Sequence, residues 1–254
     1  MVNTSFGKFA REWDEKVGND GVRSSQETVK AIFQFLGKVK NKVVYEIACG
    51  NGFLARKLAK SGTKEVWASD IARELIDIAK NKYSRKGIKY SVRESADFIG
   101  IPKNHFDAVI IHQGMFFIKD IEALIKGVSK ILKPSGSFIF TLLHPLFPDA
   151  RKAMNETTAM GDNLDDLIEM QEKYLKTYSK VVNKDWGNRK VSYLIYKRPV
   201  SFYVNLCGKY GLYVEAMIEP KSETKKNNKI AKTNIPSSMI IKAIKVRTNK
   251  YVFK

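Results

Sequence analysis

The residues of this chain that could do chemistry are acids beside a turn of small residues and histidines at the ends of apolar runs. In Glu46-Ile-Ala-Cys-Gly-Asn-Gly52 a carboxylate sits in the end of an apolar run, and small residues follow it. Such a turn admits a ligand to the backbone, and the free N–H groups of the next helix favour polar atoms there. Asp70 ends the second apolar run, where an acid accepts hydrogen bonds from a ribose; an acid at a helix start also serves as an N-cap. A dinucleotide fingerprint needs three glycines spaced to seat a pyrophosphate. Here the spacing is Ala48-x-Gly50-x-Gly52 with Ala55 at the third place, and Glu46 would repel a diphosphate while suiting a cation. The pattern describes a nucleoside-binding α/β domain, although a purely structural strand–turn–helix has the same spacing. His112 and His144 follow two further apolar runs. With an ordinary pKa of about 6.5, a histidine such as His144 is the natural proton acceptor near neutral pH, or simply bonds the backbone.

Positioning these residues requires alternating strands and helices. Periodicity predicts a helix over 24–37, a strand over 43–48, a helix over 52–60, a strand over 65–69 and a long helix from 70 to before Gly87. Strands follow at 88–93 and 106–111, then a helix at 121–132, a turn at 133–136 and a strand at 137–143. Such alternation builds a parallel sheet, with ligands outside the carboxyl ends of its strands. Residues 148–190 interrupt the pattern; Leu164, Leu167, Ile168, Gln171, Tyr174, Leu175 and Tyr178 have helical spacing there, and the first half is acidic. A long insertion after the fifth strand suits a lid that shapes an acceptor site. Residues 191–197 read as a strand, 212–219 and 237–246 as the last two strands, and 221–232 as a solvated, mobile, lysine-rich loop.

The 254 residues are 44% hydrophobic, enough for one α/β domain with a full core. No apolar run approaches the ~18 residues of a membrane span, and the N-terminus lacks the apolar core of a signal peptide. Cys49 and Cys207 read as reduced and unpaired, so a cytoplasmic location is expected. The net charge of +19 is the compositional oddity. It admits a nucleic acid or an anionic membrane surface as partner. Most of the excess is scattered lysine, which favours a solvated surface, and no aromatic-interleaved RNA-binding motif is present. The oligomeric state is not legible.

In Glu46–Gly52 the chain resembles the class I S-adenosylmethionine-dependent methyltransferases, whose first motif is an acid followed by x-Gly-x-Gly-x-Gly; Ala48 replaces the first glycine. Further segments resemble the family in order and spacing: Trp13-Asp-Glu-Lys-Val-Gly18 with Arg23, Leu132-Lys-Pro-Ser-Gly136, His144-Pro145 and Arg198-Pro-Val-Ser-Phe-Tyr203. The resemblance implies a single domain over 1–254. Its Rossmann-like, seven-stranded, mostly parallel sheet has an antiparallel last strand and helices on both faces. An N-terminal arm lies within 1–40 and a lid-like insertion at 148–190. It also implies S-adenosylmethionine as cofactor, S-adenosylhomocysteine as product, in-line methyl transfer to a small-molecule acceptor, and no metal. Glu46, Ala48, Gly50, Asn51 and Gly52 would hold the methionyl part and Asp70 the ribose, with Ile71 on the adenine. Ala96, Asp97 and Phe98 would cap the adenine, the Asp97 carboxylate accepting from its amino group and a backbone N–H meeting a ring nitrogen; an ordinary loop acid is the alternative reading of Asp97. His112 and Gln113 would flank the methyl, with His144 as base for an oxygen acceptor. Trp13, Arg23, Phe117, Trp186 and Tyr193 are candidates for the acceptor wall, although packed aromatics account equally for the last two. An RNA or protein methyltransferase is the alternative that the charge suggests. The segment after residue 111 lacks the Asn/Asp-Pro-Pro-aromatic and Pro-Cys patterns of common nucleic-acid methylating classes.

Overall fold

Strand β1 (Val43–Ile47) is buried at all five positions, which places it at the centre of the sheet. A strand covered on both faces reads as a near-continuous apolar run, and only Glu46 interrupts this one. The computed structural model describes residues 5–21, 26–145, 174–186, 189–226 and 229–246. Ahead of β1 lie α1 (Ser5–Lys8), α2 (Ala10–Val17) and α3 (Gln26–Leu36). After it the chain alternates through α4 (Phe53–Lys60), β2 (Glu65–Asp70), α5 (Arg73–Asn81), β3 (Ile88–Val92), β4 (Phe106–Ile111), α6 (Ile121–Ile131) and β5 (Leu132–Leu143). A ribbon of β6 (Tyr178–Trp186) and β7 (Arg189–Lys197) precedes α7 (Val200–Lys209) and β8 (Leu212–Ile218). A second ribbon, β9 (Lys221–Lys226) and β10 (Lys229–Pro236), leads into β11 (Ser238–Lys245).

The seven-stranded sheet has the order β3-β2-β1-β4-β5-β11-β8. The pairs from β3 to β5 are parallel, and β11 runs antiparallel to both of its neighbours. Strand order reverses between β1 and β4, so the connections leave in opposite directions and open a crevice at the carboxyl ends. Alternate residues of a strand face opposite sides. Tyr45 and Ile47 accordingly pack with Phe106, Phe140 and the α6 residues Leu124 and Val128. Val44 packs on the other face with Ile110, Ile139, Ile32 of α3 and Leu54 and Leu58 of α4. Each such fully buried side chain contributes about 1.5–3 kcal/mol.

Four expectations change. Asp70 ends β2 and does not cap α5, whose N-cap position is Ala72. The 133–136 turn survives as a bulge inside β5: pairing jumps from Phe106↔Leu132 to Ala108↔Ser137, and Ser135 takes φ +65°. Residues 178–186, the first of which closed the predicted helical pattern, form β6, because β7 supplies a ladder from Tyr178↔Lys197 to Trp186↔Arg189. The pattern over 164–173 lies outside the described residues. The lysine-rich 221–232 segment is a paired ribbon, with Lys226↔Lys229 nearest the turn. The N-terminal arm is present as α1 and α2, interrupted at Phe9.

Candidate functional site

At the end of β1 the chain reverses sharply. Ala48, Gly50 and Gly52 all take the left-handed conformation, with φ of +58°, +56° and +74°. For alanine this costs roughly 1–2 kcal/mol, so the turn is held by its surroundings. A Cβ on Gly52 would stand 2.5 Å from the Tyr90 hydroxyl oxygen. The turn forms one wall of a cavity of about 220 Å³ bounded by β1, β2, β4 and the arm.

Glu46 opens onto this cavity and is 1% exposed. Its Oε2 atom is buried with no hydrogen-bond partner. Burial pushes its carboxyl up to about 8, opposed by an Ala55 hydrogen bond and the Arg56 charge. A buried carboxylate with no partner is costly, and the missing partner must come from whatever enters the cavity. Asp70 lies opposite. Its Oδ2 accepts from the Gly50 N–H at 2.8 Å and its Oδ1 from the Ala72 N–H at 2.9 Å. Burial raises its pKa, and the N–H groups of Ala72, Gly50 and Ile71 pull against that. A carboxylate has about four acceptor positions, so about one stays open toward a ligand.

Asn51 borders the cavity but is spent on the arm. Its Nδ2 donates to Asp14 Oδ1 at 2.7 Å and to the Gly18 carbonyl at 2.9 Å. Asp14, 3% exposed, also accepts from Lys82 Nζ at 2.5 Å. Arg56 completes the clamp by donating to the Asn51 and Asn19 carbonyls and to Asn19 Oδ1. These bonds hold α2, and with it Trp13, over the turn.

Ile71, Glu94, Ser95 and Ala96 also line the cavity. Asp97 and Phe98 do not reach it. Arg93 pairs with Asp97 Oδ2 at 2.9 Å and the Ile99 N–H with its Oδ1. Phe98 packs against Gly127, where a Cβ would come within 2.1 Å of its ring. The Asp97 carboxylate thus stands outside the cavity lining, where Glu94 and Ser95, two residues that the sequence pattern passed over, are found.

The two histidines separate. His112 and Gln113 both line the cavity. His112 Nε2 lies 2.9 Å from Thr28 Oγ1 of α3, and burial lowers its pKa to about 4, so it is neutral at pH 7. Gln113 is fixed by its N–H, which donates to Thr141 Oγ1 at 2.5 Å. His144 is buried outside the cavity lining. Its backbone N–H joins the Ser237 carbonyl at the end of the β5–β11 ladder, and its Nε2 turns to Glu219 Oε1 at 2.9 Å.

The remaining wall is aromatic: Phe6, Trp13, Phe53, Phe117 and Tyr196. Tyr193 stands behind it, with its ring centroid 5.7 Å from both Phe6 and Phe117. Lys119 and Asp120 border the cavity after the turn that follows β4. Phe6 and Tyr196 were missed, since neither belongs to a local motif. Arg23 lies outside the described residues, as does the side chain of Trp186, whose backbone ends β6.

With this geometry in hand, comparisons with known proteins agree on the kind of domain. Residues 45–140 match a family model described as a methyltransferase domain. A ubiquinone biosynthesis O-methyltransferase of Hydrogenovibrio crunogenus is 24% identical over 144 residues, 55% of this chain and 59% of that protein. A ubiquinone/menaquinone biosynthesis C-methyltransferase of Francisella tularensis is 29% identical over 127 residues, 47% of this chain and 50% of that protein. The chain thus spans 50–59% of these two relatives' length. Among solved structures, a Listeria monocytogenes protein described as an S-adenosylmethionine-dependent methyltransferase superposes with TM-score 0.63 at 23% identity. It covers 86% of this chain and 97% of its own. Magnesium protoporphyrin IX methyltransferase from Synechocystis with bound S-adenosylhomocysteine gives 0.59 at 16% identity, covering 94% and 95%. At these identities the structural likeness is one of fold.

Proposed function

We propose that the chain is a class I S-adenosylmethionine-dependent methyltransferase that methylates a small-molecule acceptor at the cavity described above. The observation that carries this reading is Glu46 Oε2, a buried carboxylate oxygen without a partner at the wall of the cavity. An ammonium group entering there supplies the missing partner. The Asp70 carboxylate has an acceptor position left for a ribose hydroxyl, and Ile71 and Ala96 offer apolar lining to a base. These residues fit the methyl donor of the family.

S-adenosylmethionine, when bound, supplies a methyl group already activated on a cationic sulfur. The protein then has to position, desolvate and orient. Glu46 fixes one end, Asp70 the middle, and His112 and Gln113 the region between donor and acceptor. A neutral His112 can stand beside a cationic sulfur without repelling it. With His144 turned to Glu219, it is not placed to accept a proton from the acceptor. The aromatic wall selects a flat, largely apolar acceptor, in keeping with the quinone-pathway names of the two relatives. The alternative of an RNA or protein acceptor rests on net charge and gains no support from those relatives.

Calorimetric titration with S-adenosylhomocysteine tests the cofactor half directly. The wild-type chain should bind it, and Asp70→Ala should bind at least tenfold more weakly, as expected when charge-assisted hydrogen bonds worth about 1.5–3 kcal/mol are lost. No heat with the wild-type chain would end the enzymatic reading.

A further inference from the structure

The imidazole of His112 has one nitrogen engaged and one open. Nε2 lies 2.9 Å from Thr28 Oγ1, and Thr28, on α3, is itself buried. The Phe53 ring meets the imidazole edge to face, with centroids 5.5 Å apart, and holds its plane. Nδ1 has no hydrogen-bond partner among the described residues, yet it is not one of the buried atoms left without one. His112 is buried except where it lines the cavity, so the cavity is where Nδ1 opens. β1 and β4 run side by side with Glu46 level with Ile110. His112 therefore stands two residues beyond the unpartnered carboxylate, on the same edge of the sheet.

A neutral imidazole carries one N–H, and the partner of one nitrogen decides what the other offers. With the proton on Nε2, the ring donates to Thr28 Oγ1 and shows the cavity a lone pair at Nδ1. With the proton on Nδ1, Thr28 donates and the cavity meets an N–H. Two considerations favour the first arrangement. Within a helix a threonine hydroxyl spends its proton on a carbonyl of the preceding turn, which leaves its lone pairs for an outside donor. A site whose orphaned acid calls for a cation also accommodates a lone pair better than a second donor.

We infer that Thr28 is a positioning residue that holds His112 as its Nε2–H tautomer, so that Nδ1 receives the proton of a hydroxyl on the acceptor during methyl transfer. The proton transfer rests on the proposed function; the tautomer does not. The acceptor oxygen gains a bond to the methyl carbon as the carbon–sulfur electron pair returns to sulfur. Its proton passes to Nδ1, from which solvent removes it. Positive charge leaves sulfur as it arrives on the ring, so the two cations do not coexist. Burial lowers the His112 pKa to about 4 and keeps the ring neutral beforehand. A hydroxyl oxygen that is taking on a methyl group is acidic enough for so weak a base. The acceptor is thereby narrowed to a flat molecule bearing a ring hydroxyl, a phenol.

The imidazole nitrogen NMR spectrum of the full chain, isotopically labelled in histidine, is the test. The chain has 3 histidines, so His105→Gln and His144→Gln assign the His112 signals. Wild-type His112 should be the Nε2–H tautomer at pH 7, with S-adenosylhomocysteine bound or absent. Thr28→Val keeps the shape of the side chain without its hydroxyl and should abolish that preference, whereas Thr28→Ser should keep it. Phenol added to the S-adenosylhomocysteine complex probes the acceptor hydroxyl. It should shift the Nδ1 signal of the wild-type and Thr28→Ser chains, and several-fold less that of Thr28→Val. A bond that only ties α3 to the sheet would lower the stability of Thr28→Val and leave tautomer and phenol response as they were. An Nδ1–H tautomer in the wild type, which is read whether or not the valine variant folds, would overturn the proposal. So would an unchanged tautomer in Thr28→Val or an Nδ1 signal that ignores phenol. Failure to bind S-adenosylhomocysteine would instead end the methyl-transfer reading, and the tautomer would stand apart from it.

Discussion

The two halves of the cavity are built differently. The donor half is made by residues at the carboxyl ends of β1, β2 and β4 and the loop after β3, each within a few positions of the strand that aims it. The half proposed for the acceptor is lined by Phe6, Phe117 and Tyr196, drawn from three distant parts of the chain; Phe6 and Phe117 meet edge to face, and the Arg198 guanidinium lies over the Tyr196 ring. On the proposed function, the sheet positions the methyl donor while segments laid across its edge shape the acceptor site. Mutations in the two halves should therefore separate, in stability as well as in binding.

The largest separation is expected at Glu46. Its folded pKa of about 8 lies above the ordinary 4.5, so the folded ligand-free protein holds an extra proton between those values. Stability must then fall as pH rises from about 5 to about 8, and the penalty reaches on the order of 3 kcal/mol by pH 7. Asp70, also raised by burial, adds to the same slope. Glu46→Gln should be more stable than wild type, by an amount that is small at pH 5 and grows toward pH 8 in denaturant unfolding. It should also bind S-adenosylhomocysteine more weakly. A variant with an unchanged pH slope would mean that Glu46 is solvated or paired.

Next comes a crossed comparison in ligand binding. Phe117→Ala removes a ring from the acceptor wall and should leave S-adenosylhomocysteine affinity within about twofold, a few tenths of a kcal/mol, while Asp70→Ala loses at least tenfold. If both substitutions weaken it equally, the cavity is not divided as described.

The contrast between the halves also decides how much could be read from sequence. The β1 turn, Asp70 and the strand-end pair His112-Gln113 were legible because each is a short-range pattern tied to a strand terminus. The sheet was legible because its strands carry near-continuous apolar runs. Asp97 lies off the cavity lining because Arg93, four residues upstream, captures its carboxylate, and spacing does not show that competition. His144 stands outside the lining for a similar reason: it turns to Glu219, which follows β8, 75 positions away. Phe6 and Tyr196 were hidden because a ring at a cavity wall looks like any packed ring. The β9–β10 ribbon had a faint signal in Asn227-Asn228, turn-prone residues between two runs, but the surrounding lysines read as solvent-facing coil.

A smaller effect is expected where the arm joins the donor half. Asn51→Ala removes the donor to Asp14 Oδ1 and the Gly18 carbonyl, leaving a buried acid with Lys82 and Tyr83. The loss should be about 1–2 kcal/mol in denaturant unfolding. It should be accompanied by faster proteolysis within the first twenty or so residues and by little change in the β-sheet core. An arm as protected as in wild type would show that Asn51 does not fasten it.

The smallest effect tests the turn itself. Ala48 holds φ +58°, which costs an alanine roughly 1–2 kcal/mol. Glycine removes that cost but gives the unfolded chain more freedom, worth about 0.5–1 kcal/mol in the opposite direction. The methyl group also packs against Gly114, where a Cβ would stand 2.9 Å from it, and its removal forfeits a few contacts of about 0.1–0.2 kcal/mol each. The three terms leave Ala48→Gly more stable by roughly half a kcal/mol in denaturant unfolding. S-adenosylhomocysteine affinity should be unchanged, since a turn already closed needs no further closing. A destabilised variant would mean that the Ala48 methyl is a packing element of the cavity wall, and the turn would then be held by its side chains more than by its backbone.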